Sequence, residues 1–175
     1  MSDPVFPHYL TVPWKARYVR KKKLEECFVC QIRDYTSDSP VYEIFRNEHI
    51  LIYLNLFPYQ VGHLLISPRA HITTFESLSS EIIQQIFHSL QNCVILLKST
   101  YGDNIGINIG LNQGRFAGAS QEHLHFHCVP RFPASELNWI DVLGTRVLIE
   151  TLEQTHQKLL KNVNNIFSPS KKDKT

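Results

Sequence analysis

The sequence predicts an α+β fold: a five-stranded, mainly antiparallel sheet with one long helix and a second helix near the C-terminus. Three patterns carry that prediction. Between residues 79 and 98, apolar side chains recur at three- and four-residue steps, the period of one amphipathic helix. Short β-rich runs bounded by Pro, Gly, Asn and Asp stand on both sides of it. Between 123 and 129, histidines alternate with apolar residues, the period of a strand with two unlike faces.

At 175 residues, 43% of them hydrophobic and 19% charged, the chain suits one domain with a real core. A formal net charge of +2 is too small to imply nucleic-acid wrapping or attraction to a membrane surface. No apolar run reaches the length of a membrane span, and the start of the chain has no signal-peptide core. Four cysteines, two of them a close pair, are no secreted disulfide framework. The expectation is a cytoplasmic domain with neither nucleic acid nor membrane as partner.

Taken in order, residues 1–24 read as an N-terminal extension. It holds the aromatic Pro13-Trp14-Lys15-Ala16-Arg17-Tyr18 and a solvated basic run, Arg20-Lys21-Lys22-Lys23. The main domain follows over 25–163. Cys27-Phe28-Val29-Cys30 fits half a zinc site, a redox pair or two buried thiols; two cysteines alone cannot close a tetrahedral site. Segments 41–46 and 49–55 read as a hairpin turning at Asn47-Glu48, with His49 a surface strand residue. Leu56 to Gly62 is a loop, 63–67 the next strand, and Pro68 its stop.

In the long helix, Ile82, Ile83, Ile86, Phe87, Leu90, Val94 and Leu97 form the stripe. Ser79 or Ser80 caps the start, and Tyr101-Gly102-Asp103-Asn104 ends the helix. His88 lies beside the stripe as a surface residue, and Cys93 and Cys128 read as core thiols. Residues 105–111 and 123–129 are the last two strands, with Pro130 as terminator. Leu137-Asn138-Trp139-Ile140 reads as an arm, 146–163 as the second helix, and 164–175 as a disordered polar tail.

The run His123-Leu124-His125-Phe126-His127 is where chemistry concentrates. On a strand its imidazoles share one face while Leu124 and Phe126 share the other. Imidazole titrates near neutral pH, nucleophilically attacks when neutral, and binds metals. Upstream, Asn112-Gln113-Gly114 and Ala117-Gly118-Ala119-Ser120 set amides, a hydroxyl and small residues beside the rings, a composition suited to phosphate. Asn112 and Ser120, with Gln121 as a third, are the candidate phosphate-binding side chains.

The run GRFAGASQEHLHFHCVPR resembles the signature of the histidine-triad family, and NLFPYQVGHLLISPRAHI resembles that family's upstream block. With the cysteine pair, the resemblance spans about residues 25–132. It implies the family's α+β fold and a homodimer joined edge to edge, which would also protect an exposed sheet edge. It implies His125 as nucleophile, His127 beside the phosphate, and His63 holding the rings by hydrogen bonding. One ring nitrogen of His125 would be free, the other donating to a carbonyl on a neighbouring strand.

Asn55 is similar in place to the family's ribose-contacting residue. His71 and His123 would complete a structural zinc site with Cys27 and Cys30; without metal, His123 would be another phosphate-facing ring. Ala119 departs from the glutamine of the common hydrolase pattern. The spacing is more similar to transferase and dinucleoside-polyphosphate phosphorylase branches. The implied substrate is an adenine nucleotide or dinucleoside polyphosphate such as diadenosine tetraphosphate, accompanied by magnesium and cleaved by water or phosphate. A nucleoside phosphoramidase, a nucleotide-binding regulatory protein and a zinc-stabilised interaction module are the other readings.

Overall fold

The computed structural model describes residues 27–133 and 150–167. The N-terminal extension, the 137–140 arm, the start of the predicted second helix and the tail beyond 167 lie outside these residues.

Five strands form one sheet in the order β1-β2-β3-β5-β4, every neighbouring pair antiparallel. They are β1 (Glu43–Arg46), β2 (Ile50–Leu54), β3 (Leu64–Pro68), β4 (Gly106–Leu111) and β5 (Phe126–Arg131). The central β2 and β3 are buried throughout, so their sequences run continuously apolar instead of alternating. The pleat still sorts them. Ile50, Ile52, Leu54, Leu64 and Ile66 join Leu124, Phe126 and Cys128 in the main core. Leu51, Tyr53 and Leu65 turn to the other face, against Val29 and Ile32.

Those two belong to α1 (Phe28–Asp34), a helix the sequence did not announce. Seven residues are too few to display a stripe. Tertiary bonds hold it instead: the Arg46 guanidinium donates to the Arg33 and Ile32 carbonyls, and Arg33 Nη1 donates to Arg69 O.

The main core is closed by α2 (Ser80–Tyr101) and α3 (Leu152–Phe167). Ser79 caps α2, its hydroxyl accepting from Ile82 N–H, and Gly102 ends it at φ +94°. The stripe differs in one place from the sequence reading. Phe87 is 58% exposed, while Cys93 and Leu96 are fully buried. Burial at 86, 89, 90, 93, 96 and 97 follows the helical period with one member rotated outward. Cys93 and Cys128 are core thiols as expected.

Helix α3 is shifted relative to its prediction, running from Leu152 past residue 163 to Phe167. Its start has a local cause: Thr151 N–H donates to Gln154 Oε1 and Gln154 N–H donates to Thr151 Oγ1, a reciprocal capping box.

Two further differences concern strand ends. His49 lies in the turn, not in a strand; its N–H donates to Asn47 Oδ1, which also accepts from Ile50 N–H. Pro130 does not terminate β5 but sits inside it opposite Ile107. β3 accompanies β5 only over Phe126–Cys128, so the missing N–H of Pro130 faces no described strand.

Gly62, at φ +80°, leads the chain into β3. A Cβ there would stand 3.0 Å from Tyr101 Cε2 and 3.2 Å from both Leu97 Cδ2 and Pro130 Cγ. Gly62→Ala combines left-handed strain with overpacking and is expected to cost ~1–3 kcal/mol by urea denaturation.

Candidate active site and metal cluster

The triad enters β5 from its N-terminal side. His123 to His125 form a lead-in with a bend at His123, and of the three histidines only His127 lies inside the strand proper. The strand thus begins later than the alternation at 123 suggested, but the alternation of faces holds. Leu124 and Phe126 sink into the α2 core, while His127 pairs opposite Leu65 on the α1 face.

His63 stands immediately before β3, fully buried. Its Nδ1 accepts from the backbone N–H of Tyr59 (3.1 Å), with Asn55 Nδ2 at 3.3 Å. An N–H can only donate, so the proton of neutral His63 is on Nε2. That Nε2–H donates to His127 Nδ1 at 2.9 Å. His127 must therefore carry its own proton on Nε2, and this atom is buried with no hydrogen-bond partner among the described residues. A buried donor left unpaired is costly unless something arrives to accept it. The relay leaves the Nε2–H of His127 as a donor that no described residue accepts.

His125 is set the opposite way. Its Nδ1–H donates to the carbonyl of His123 at 2.8 Å, leaving the Nε2 lone pair available. The acceptor lies two residues back on its own chain, not on a neighbouring strand as expected, since 123–125 lie outside the sheet ladder. The His125 and His127 rings meet edge to face, centroids 5.1 Å apart. A ring with a free Nε2 lone pair and a ring with an unaccepted Nε2–H thus stand next to each other.

Burial keeps these rings neutral. It lowers the His63 pKa to about 3, helped by the charges His127, His125 and Arg131 would add. It lowers His127 to about 4, His125 contributing. His125 is also lowered by burial, partly offset by its hydrogen bond to His123. Each folded pKa lies below the ordinary 6.5, so the stabilisation is complete above 6.5 and is lost as the pH falls towards the folded values. Urea denaturation between pH 7 and pH 4 is expected to show stability declining with acid, and replacing His63 by glutamine should flatten that decline.

His123 turns away from the other two rings to a separate cluster. Cys27, Cys30, His71 and His123 bring one ligand atom each to within 4.8 Å of one another. His123 Nδ1 is 3.3 Å from Cys27 Sγ and 3.8 Å from Cys30 Sγ; His71 Nδ1 is 3.3 Å from Cys30 Sγ. Donors around a tetrahedral ion with bonds of about 2.0–2.3 Å stand roughly 3.3–3.8 Å apart. The three separations match this spacing, and with all four atoms within 4.8 Å the set suits a metal after small side-chain adjustment. His123 Nε2–H donates to Pro68 O at 2.9 Å, which fixes the tautomer with Nδ1 facing the thiols.

The remaining residues expected at the site lie on its two flanking loops. Asn55 has its amide engaged locally, Oδ1 accepting from Phe57 N–H and Nδ2 facing His63. Asn112 directly follows Leu111, the end of β4, whose partner Phe126 directly follows His125. Ser120 is exposed and Gln121 half-buried on the loop entering His123. Gln113 ties that loop down, accepting from Phe75 N–H (2.6 Å) and donating to Glu76 Oε2 (3.1 Å).

Sequence reasoning missed Tyr59, whose N–H sets the His63 tautomer and whose ring lies over His63 and His127 at 4.8 and 5.9 Å. It also missed the Pro68 carbonyl. Backbone groups carry no sequence signal, and an aromatic in a loop has many uses.

A family model, the HIT domain, matches residues 36–134. The AP-4-A phosphorylase of Mycobacterium tuberculosis is 32% identical over 125 residues, which cover 71% of this chain and 63% of that protein. "Protein hit" of Bacillus subtilis is 31% identical over 108 residues, 62% of this chain and 72% of the relative. Among solved structures, a Zn-bound histidine triad family protein from Mycobacterium smegmatis superposes with a TM-score of 0.66 at 22% identity, covering 80% of this chain and 94% of its own. That likeness is one of fold. A HIT family member from Bacillus subtilis gives a TM-score of 0.56 at 26% identity over 83% of this chain and 100% of its own. No helix among the described residues is long and apolar enough to cross a membrane.

Proposed function

The chain belongs to the HIT domain family, and from that premise we propose that it cleaves phosphoanhydrides of dinucleoside polyphosphates such as diadenosine tetraphosphate through a nucleotidyl-His125 intermediate. The observation that carries this is the pairing of opposite tautomers: His125 offers a lone pair on Nε2 while His127 offers an N–H on Nε2.

In the first step, His125 Nε2 attacks the α-phosphorus and a P–N bond forms. The bond from phosphorus to the bridging oxygen breaks, and its electron pair leaves with the polyphosphate. His127 Nε2–H donates to a non-bridging oxygen as charge develops there. In the second step, an oxygen of water or inorganic phosphate attacks the same phosphorus and the P–N bond breaks. The lone pair returns to His125, and when water attacks, its proton is released to solvent. Dividing one displacement into two, with the nucleophile already positioned, is how the site would gain rate.

Asn112, just beyond the end of β4, and Ser120 and Gln121 on the adjoining loop would bind the phosphate oxygens, and Asn55 would stand at the sugar end. Cys27, Cys30, His71 and His123 would hold zinc, for which two thiols and two imidazoles are a fitting donor set. Magnesium would accompany the polyphosphate, whose charge it would partly neutralise. The protein would act as a homodimer in the cytoplasm. The open edge strand β4, with Ile109 52% exposed, is the edge a second copy would cover.

Phosphate is favoured over water as acceptor by Ala119, which departs from the hydrolase pattern, and by the similarity to a protein named AP-4-A phosphorylase. The test is incubation with diadenosine tetraphosphate with and without inorganic phosphate, products resolved by chromatography. ADP plus ATP formed only with phosphate is the expected result. AMP plus ATP without phosphate would make the protein a hydrolase. No products in either case would contradict the proposal and point to a phosphoramidase or a binding protein.

A further inference from the structure

We infer that the Cys27–Cys30–His71–His123 cluster is a positioning device for the nucleophile, not merely a brace for the fold. The inference rests on the reading of His125 given above. One residue does two jobs: the ring of His123 faces the two thiols through Nδ1, and its backbone carbonyl holds the Nδ1–H of His125. The orientation and tautomer of the attacking imidazole thus depend on where the His123 peptide is fixed.

Three anchors fix it. Pro68 O accepts from His123 Nε2–H at 2.9 Å, and Leu124 N–H donates to Ile72 O at 2.7 Å. The third is the cluster, which would cross-link the same two strands one residue earlier on each side, His71 to His123. The chain segments are 5.0 Å apart ring to ring at that point, His71 edge-on to His123. Cys27 and Cys30 come from α1, which packs on the sheet face bearing His127. An ion held by all four would tie the start of α1, the segment after β3 and the triad lead-in together at His123, two residues before His125. Without an ion, what joins His71 to His123 is an edge-to-face ring contact.

A nucleophile displaced by about 1 Å costs on the order of a hundredfold in rate without loss of substrate affinity. Cys27, Cys30 and His71 are accordingly assigned as positioning residues, acting through His123. None of them needs to touch the substrate.

The test compares zinc-loaded full-length protein, the same protein stripped by a chelator and reloaded, and the variants His71→Ala and His71→Cys. Metal content is measured throughout. The ring proton of His125 is followed by NMR in protein with 15N-labelled histidine, using the His63–His127 proton as internal control. Expected on stripping or in His71→Ala is loss of the His125 Nδ1–H signal with the control signal retained. kcat should fall on the order of a hundredfold with KM changed by less than about twofold. His71→Cys, which restores a fourth ligand, should recover both.

An unchanged His125 signal and kcat in metal-free protein would overturn the inference. So would simultaneous loss of both ring signals, the mark of general unfolding. If His71→Ala does not fold, the strip-and-reload comparison on the wild-type chain decides. If the loaded protein turns over no dinucleotide yet its His125 signal follows the metal, the coupling stands and the proposed activity fails.

Discussion

Replacing His125 by alanine is expected to lower turnover of the dinucleotide substrate on the order of ten-thousandfold or more, the loss typical when a covalent nucleophile is removed. The imidazole is 5% exposed, carries its proton toward the His123 carbonyl with its other nitrogen free, and meets the His127 ring edge to face. No other described histidine shows this combination. His63 has both ring nitrogens engaged, and His127 presents a proton where an attacking nitrogen would need a lone pair. His127→Ala should therefore cost less, on the order of 10²–10³-fold, because it removes a charge-stabilising donor and leaves the nucleophile in place. Single-turnover kinetics on the two variants, with circular dichroism to verify the fold, checks the ranking. Equal losses would mean that the two rings share a role the tautomers do not describe.

Removing the metal is expected to produce the largest change in stability. A ligand present at a thousandfold its dissociation constant stabilises by about 4 kcal/mol, and in a chain of this size each kcal/mol moves the melting temperature by roughly 2–4 °C. Chelation should thus lower the transition by about 8–16 °C by differential scanning calorimetry, and zinc should restore it.

The same binding has a pH signature. The Cys30 thiol is pushed up to about 11, first by burial and then by its hydrogen bond to Cys27, so it is protonated in the metal-free protein. Loading zinc must drive that proton off. Proton release on loading, seen in a weakly buffered indicator, and affinity falling as the pH falls are the expected results. His123 contributes little to this release, since burial already holds it neutral at about 4. Unchanged melting after complete stripping would show that the four ligand atoms meet without supporting the fold.

The parts of the molecule legible in the sequence are those with a period or a spacing. The stripe from Ile82 to Leu97, the alternation from His123 to His127, and the prolines and glycines between strands announced α2 and the strands. Phe87 shows the limit of a stripe: it satisfies the spacing yet points outward, because the arc that faces the sheet is centred on Leu90, Cys93 and Leu97. Helix α1 was illegible because seven residues held by Arg46 and Arg33 owe their shape to partners remote in sequence. Pro130 misled for the same reason; whether a proline ends a strand depends on which edge has a neighbour, and that is a tertiary fact.

At the site, residue types were legible and hydrogen-bond directions were not. His63 meets His127 and the four cluster residues meet one another, contacts that the resemblance implied and that spacing alone did not. What separates His125 from His127 is where each proton lies. That is decided by the Tyr59 N–H and the His123 carbonyl, backbone groups that every residue possesses.

The central claim is that His125 Nε2 becomes covalently nucleotidylated, and trapping that species tests it most directly. Protein mixed with diadenosine tetraphosphate in the absence of phosphate and quenched in alkali, where a phosphoramidate survives, is digested and its peptides sequenced by mass spectrometry. The expected result is one adenylyl group on the peptide containing residues 123–127, placed on His125 and discharged when phosphate is added before the quench. An adenylyl group on another residue, or products formed at the full rate with no modified peptide under any quench, would contradict it.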